Sequence, residues 1–96
     1  MAEYRFSPAA QRDLGEVFDY SVATWGLAQA MDYTDLIAAA CAELAQSPRR
    51  APACDHVRPG YRRRGVGQHM IYFRPTDYGI AVIRILHQRM DAGRHL

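Results

Sequence analysis

The chain has 96 residues, 49% hydrophobic and 23% charged, a composition that fits one small packed domain and excludes disordered, collagen-like and membrane-embedded classes. Its longest apolar run, residues 36–42, is seven residues long, against the ~20 a membrane span requires, and its first residues lack a signal-peptide core. A single domain over 1–96, cytoplasmic and without a membrane partner, is therefore expected. The net charge of +2 hides an asymmetry: residues 1–48 carry two Arg and seven acids (net −5), and residues 49–96 carry ten Arg and three acids (net +7).

Such a field selects an acidic partner, whether nucleic acid, a nucleic-acid-handling enzyme or an acidic peptide. All twelve basic residues are Arg and none is Lys, which genome composition explains before any selection for bidentate anion contacts does.

Residues 4–6 alternate apolar and polar, a short strand at an edge or one position in from it. Ser7-Pro8 then reads as a helix start, Ser supplying a cap oxygen and Pro occupying the first helical position. Ala10, Leu14, Val17, Phe18, Ser21 and Trp25 form one stripe at helical spacing, and Gly26 ends the run as a left-handed cap. A second helix carries Ala30, Tyr33, Ile37, Ala40 and Leu44 on one face, widened by Met31, Leu36 and Cys41, until Ser47-Pro48 stops it. With a junction of about one residue, the two helices must form an antiparallel hairpin. The Arg- and Pro-bearing segment 49–60 reads as a solvated loop. The period then changes to two: 61–66 and 69–74 are strands around a Gly-x-Gly turn, 75–79 is a second turn, and 80–86 is a strand apolar on both faces, hence central and covered on two sides. The expected fold is α+β: an N-terminal strand, a two-helix hairpin and a three-stranded antiparallel meander, with the helices on one face of the sheet.

Few groups carry chemistry. Arg62, Arg63 and Arg64 alternate along a strand, so Arg62 and Arg64 share a face; they are either an anion-contacting pair or the charges that keep an edge strand from aggregating. Arg84 interrupts an apolar strand, so it either meets a ligand on an open side of the sheet or pairs with an acid of the helices. His56, His69, His87 and His95 have no metal-ligand spacing, and Cys41 and Cys54 match no metal or redox pattern. They read as a buried helical thiol and a loop thiol, and no metal or cofactor is expected. A general base at His87 would need a nucleophile or a positioned substrate, and Gly65-x-Gly67 is a turn, not a nucleotide site.

The element order, the Ser-Pro-Ala-Ala-x-x-Asp-Leu helix start (7–14), Trp25-Gly26, Ser47-Pro48, Arg-Pro-Gly-Tyr-Arg-Arg (58–63), Ile-Tyr-Phe-Arg (71–74) and above all Ile-Arg-Ile-Leu-His-Gln-Arg-Met-Asp (83–91) resemble the ParE toxins of the ParE/RelE superfamily over nearly the whole chain. The resemblance implies the toxin of a type II toxin–antitoxin module, a non-catalytic inhibitor of DNA gyrase. It also implies a ParD-type antitoxin that wraps its C-terminal segment over the toxin and alone contacts promoter DNA; that segment is expected to be acidic and amphipathic, because residues 49–96 carry +7 and the open sheet surface must otherwise expose Tyr72 and Met70. Residues expected to bind the antitoxin or the target are Arg58, Tyr61, Arg62, Arg64, Tyr72, Arg74, Arg84, His87, Arg89 and Met90. The toxic surface is expected at 84–96, on a mobile tail with Met90 and Leu96 as exposable apolar anchors.

The RelE-like branch of the superfamily, which cleaves messenger RNA on the ribosome, is the alternative. Its chemistry needs cations around a developing phosphorane and groups to move protons. Those members commonly use Lys and Arg with a C-terminal Tyr or His. This chain has no Lys and no Tyr after Tyr78, so only Arg62, Arg64, Arg84 and the histidines could substitute, a departure that favours ParE. A bare nucleic-acid-binding module ranks third, because neither acidic helix has a basic face to enter a groove.

Overall fold

The computed structural model describes residues 2–96. Strand β1 (Glu3–Phe6) leads into helices α1 (Pro8–Trp25) and α2 (Leu27–Gln46), and a short 3-10 turn over Pro48–Arg50 opens the loop that precedes the meander. Strands β2 (Arg62–Val66), β3 (His69–Pro75) and β4 (Gly79–His87) follow, and a last helical turn, α3 (Ala92–His95), closes the described chain. Ser7 caps α1 as its position suggested, its Oγ accepting from the Ala10 amide at 3.0 Å with Pro8 in the first turn. Gly26 joins the helices at φ +92° but ψ 169°, a positive-φ corner and not the left-handed cap expected.

The sheet order is β1-β4-β3-β2. β2, β3 and β4 form the antiparallel meander, but β1 lies parallel to β4, Glu3 opposite Gly79 and Phe6 opposite Val82, so the sheet is mixed and not purely antiparallel. The reason is connectivity: β4, apolar on both faces, must be internal, and the long passage through two helices and two strands returns the chain in the direction of β1. Gly79 makes the pairing possible. It adopts φ +143°, and a Cβ there would stand 2.0 Å from the Glu3 carbonyl oxygen.

The helix-facing core joins Ala10 and Val17 of α1 and Ile37, Ala40, Cys41 and Leu44 of α2 to Ile71, Phe73, Ile80, Val82 and Ile85 of the sheet. Val82 and Ile85 are three apart, which strict alternation forbids for one face. The register shift between Tyr72 and Phe73 resolves it: Phe73 pairs with Val82 and Tyr72 with Arg84, leaving Ile83 as an extra residue. That bulge keeps Arg84 out of the core face on which unbroken alternation from Val82 would place it.

The other face of the sheet is covered as well. Cys54, Tyr72 and Leu86 form a second buried cluster under Val57, Tyr61 and Met70, with Ala92 and Leu96 packed against it. Tyr72, expected on an open sheet surface, is 5% exposed. The loop also seals part of the β2 edge, since Ala53 bridges Arg62 and the Arg63 amide donates to the Pro52 carbonyl at 3.1 Å. Nor does the tail float. Asp91 caps α3 through the Gly93 amide, and Arg84 and Arg58 donate to the carbonyls of His95 and Leu96.

Candidate functional site

Beyond Phe6 the chain turns into α1, so the rest of the β4 edge has no strand beside it. Its polar groups still need partners. Ser7 supplies two, its amide donating to the Val82 carbonyl at 2.9 Å and its hydroxyl to the Ile83 carbonyl at 2.7 Å. Asp13, nearly two turns on, accepts from the Ile85 amide at 2.9 Å. The same carboxylate takes Arg84 bidentately, Nε at 2.7 Å and Nη2 at 2.9 Å, and the pair is largely buried, with side chains 21% and 9% exposed for Arg84 and Asp13. Those hydrogen bonds push the Arg84 guanidinium above its ordinary value. Of the two roles the sequence left open for Arg84, the structure takes internal pairing with an acid of the helices.

Next to this pair lies an open groove of about 830 Å³ between the hairpin and the end of β4. Helix α1 contributes Glu16, Val17, Tyr20 and Trp25, and α2 contributes Asp32, Tyr33 and Leu36; the sheet side presents His69, Arg84, Ile85 and His87, followed by Arg89 and Met90. Large apolar groups stand in solvent along it: Tyr20, Trp25, Leu36 and Met90 are 64%, 53%, 59% and 43% exposed. Tyr20 and Trp25 pack edge to face, 6.1 Å between ring centres. A contiguous apolar strip rimmed by charge on a small protein is the signature of an interaction site. One wall carries Glu16 and Asp32, the other Arg84, Arg89 and two imidazoles, so the groove is electrostatically two-sided.

The imidazole end is ordered by Tyr33. Its hydroxyl donates to the Val66 carbonyl at 3.1 Å, accepts from the Gln68 amide at 3.1 Å and lies 2.6 Å from His69 Nδ1. Gly67, at φ +55°, lets the β2–β3 turn press against the Tyr33 ring, where a Cβ would come within 2.6 Å of it. His69 and His87 are register partners on β3 and β4, with ring centres 5.4 Å apart. Burial, and secondarily the charge of His87, push His69 below its ordinary value.

The ten residues nominated from the sequence do not form one surface. Arg84, His87, Arg89 and Met90 line the groove. Arg62 and Arg64 face the helix side at the far end of α2, where Arg62 donates to the Ala51 carbonyl at 2.7 Å and Arg64 pairs with Glu43 at 2.9 Å. Tyr61 and Tyr72 belong to the second buried cluster, and Arg58 holds the Leu96 carbonyl beside it. Arg74 is exposed on β3, across from Ala81. The sequence reading missed Tyr20, Tyr33 and His69 as site residues and assigned Trp25 and Leu36 to the core. A usable signal was the surplus of large apolar residues around both helices, more than one stripe can bury. Among the described residues no group of three His, Cys, Asp or Glu could hold a metal ion, and no helix is long and apolar enough to cross a membrane.

Residues 4–92 match the family model described as the ParE toxin of the type II toxin–antitoxin system, parDE. The chain is 44% identical over 96 residues to Toxin ParE1 of Mycobacterium tuberculosis strain H37Rv, with 99% of this chain and 98% of that protein covered. It is 36% identical over 96 residues to Toxin ParE1 of Caulobacter vibrioides, covering 100% and 99%. Its fold matches a chain of the structure titled chromosomal ParDE TA system from P. aeruginosa, with TM-score 0.77, 21% identity, and 91% and 96% of the two chains covered.

Proposed function

Because the chain belongs to the ParE toxin family of type II toxin–antitoxin systems, we propose that it acts by binding, as a non-catalytic inhibitor of DNA gyrase neutralised by a ParD-type antitoxin. The observation that carries this reading is the groove. Its exposed strip of Tyr20, Trp25, Leu36 and Met90 is built to receive the apolar face of an amphipathic segment. Arg89 on its sheet side adds attraction for an acidic residue at that end, while Arg84 is already neutralised by Asp13. A ParD-type partner would cover this strip, and promoter DNA would be reached only through that partner.

The alternative, ribosome-dependent mRNA cleavage, needs free cations placed around a phosphorane. Of the groups that could serve, Arg84 is bound bidentately by Asp13 and Arg62 donates to backbone carbonyls, while Arg64 pairs with Glu43 at the surface and the histidines stay uncommitted, so the two best-placed arginines are already held by the fold. This favours binding over chemistry. Purified toxin should block gyrase supercoiling, and a ParD-type antitoxin should restore it. Trp25→Ala together with Leu36→Ala should weaken the antitoxin's grip. Specific mRNA cuts in a ribosome-dependent assay with untouched gyrase activity would reverse the assignment.

A further inference from the structure

The helical hairpin does not balance its own charge. Between Pro8 and Gln46 stand six acids and one basic residue, Arg12. Two of the acids are neutralised across the fold, Asp13 by Arg84 and Glu43 by Arg64. Of the rest, Glu16 and Asp32 line the groove, and both are exposed. Among the described residues neither carboxylate has an ion-pair partner, and Arg12, one turn before Glu16, makes no ion pair with it. With Asp13 and Arg84 cancelling, Arg89 is the one unpaired guanidinium in the lining, and it belongs to the sheet side. The +7 of residues 49–96 therefore does not reach the hairpin wall.

The same wall supplies aromatic faces. Tyr20 lies one turn beyond Glu16 on α1 and Leu36 one turn beyond Asp32 on α2, spacings that set each acid beside an exposed apolar side chain. Tyr20 and Trp25 pack edge to face and leave ring surface open to solvent. A ring next to a carboxylate favours a cation, whose charge faces the acid while its stem lies on the apolar strip. The chain builds this contact once for itself: the Arg5 guanidinium lies 4.0 Å from the Tyr78 ring centre and 3.0 Å from the Glu3 carboxylate. A wholly apolar segment laid over the groove would take water from Glu16 and Asp32 without replacing it, and an acidic flank would add repulsion. We propose that the antitoxin segment filling the groove carries an Arg or Lys on its hairpin-facing flank, seated on the Tyr20 and Trp25 rings in the field of Glu16 and Asp32. The inference rests on the groove being the antitoxin site. Arg89 attracts an acid on the other flank, so the two sides together fix which way round the segment lies.

The experiment measures the affinity of a full-length ParD-type antitoxin for Glu16→Gln, Asp32→Asn and the two combined, at low and high salt, with each Arg and Lys of the antitoxin's C-terminal segment changed in turn to Gln. Each single toxin variant should bind intact antitoxin about three- to tenfold more weakly, and the combined variant about ten- to fiftyfold. One antitoxin variant should show a similar loss against wild-type toxin and almost none against the combined variant, as a direct pair requires. Salt should weaken the wild-type complex more than that of the combined variant. Both substitutions keep side-chain shape on exposed helix surface, so the fold is retained. Equal or tighter binding by the combined variant, while Trp25→Ala and Leu36→Ala weaken it, would overturn the cation seat and leave the groove standing. So would losses that simply add for every antitoxin variant. Unchanged affinity in the Trp25 and Leu36 variants would remove the groove itself, and the seat with it.

Discussion

Asp13 has three hydrogen-bond donors on one carboxylate: Arg84 Nε, Arg84 Nη2 and the Ile85 amide. Asp13→Ala strips all three at once. Breaking a fully buried pair costs about 3–5 kcal/mol. Arg84 is 21% exposed and can turn toward water, which lowers its part to about 2 kcal/mol, while the orphaned Ile85 amide adds about 1–2 kcal/mol. The expected loss is therefore roughly 3–4 kcal/mol, a large fraction of a small domain's stability. Arg84→Ala leaves the carboxylate with the Ile85 amide and should cost less, about 2 kcal/mol. The double variant removes both charges and should sit close to Asp13→Ala alone, a coupling energy of about 1.5–2 kcal/mol. Urea unfolding of the four proteins, compared by midpoint at constant m, measures each corner of the cycle. A loss below about 1 kcal/mol for Asp13→Ala, or strict additivity in the double variant, would refute the claim that this pair ties α1 to β4.

Gly79→Ala should cost about 3 kcal/mol or more in urea unfolding, because a Cβ there meets the Glu3 carbonyl at 2.0 Å and the φ of +143° strains any L side chain. Burial pushes the Cys41 thiol from 9.0 to about 11, so between those values the unfolded chain ionises first and stability falls as pH rises through 9, by about 2–3 kcal/mol in all; Cys41→Ala should flatten that slope in pH-dependent melts. Deleting 91–96 uncovers Leu86 and Tyr72 and removes the carbonyls held by Arg84 and Arg58, which should cost about 2 kcal/mol and lower Tm by roughly 8–16 °C, whereas an unchanged melt would show that the tail contributes nothing to the fold.

The layers of the fold were legible in the residues because each element carries a local instruction. Ser7-Pro8 begins α1, Ser47-Pro48 ends α2, and the change from period 3.6 to period 2 after Gly60 separates helices from meander. The resemblance added the family, which the whole-chain matches then established. Legibility ended where the information is long-range. Which strand β1 joins, and in which direction, is decided by contacts between the two ends of the chain, and the extra residue at Ile83 is a relation between β3 and β4 that no periodicity within either strand records.

The same divide explains the site. Amphipathic spacing assigned Trp25 and Leu36 to the core because periodicity registers that a face is apolar, not what lies against it; in the fold both face the groove. Burial of Tyr72 errs in the opposite sense, since the loop at 54–61 and the last residues close over a strand face that alternation alone would leave to solvent. Arg84 shows how the two errors share one cause. Its register against Tyr72 depends on the bulge, its partner Asp13 is 71 residues away in sequence, and its third nitrogen, Nη1, donates to the tail carbonyl of His95. One cation thus ties together a helix, a strand and the tail, and its commitment to all three leaves recognition in the groove to the side chains around it.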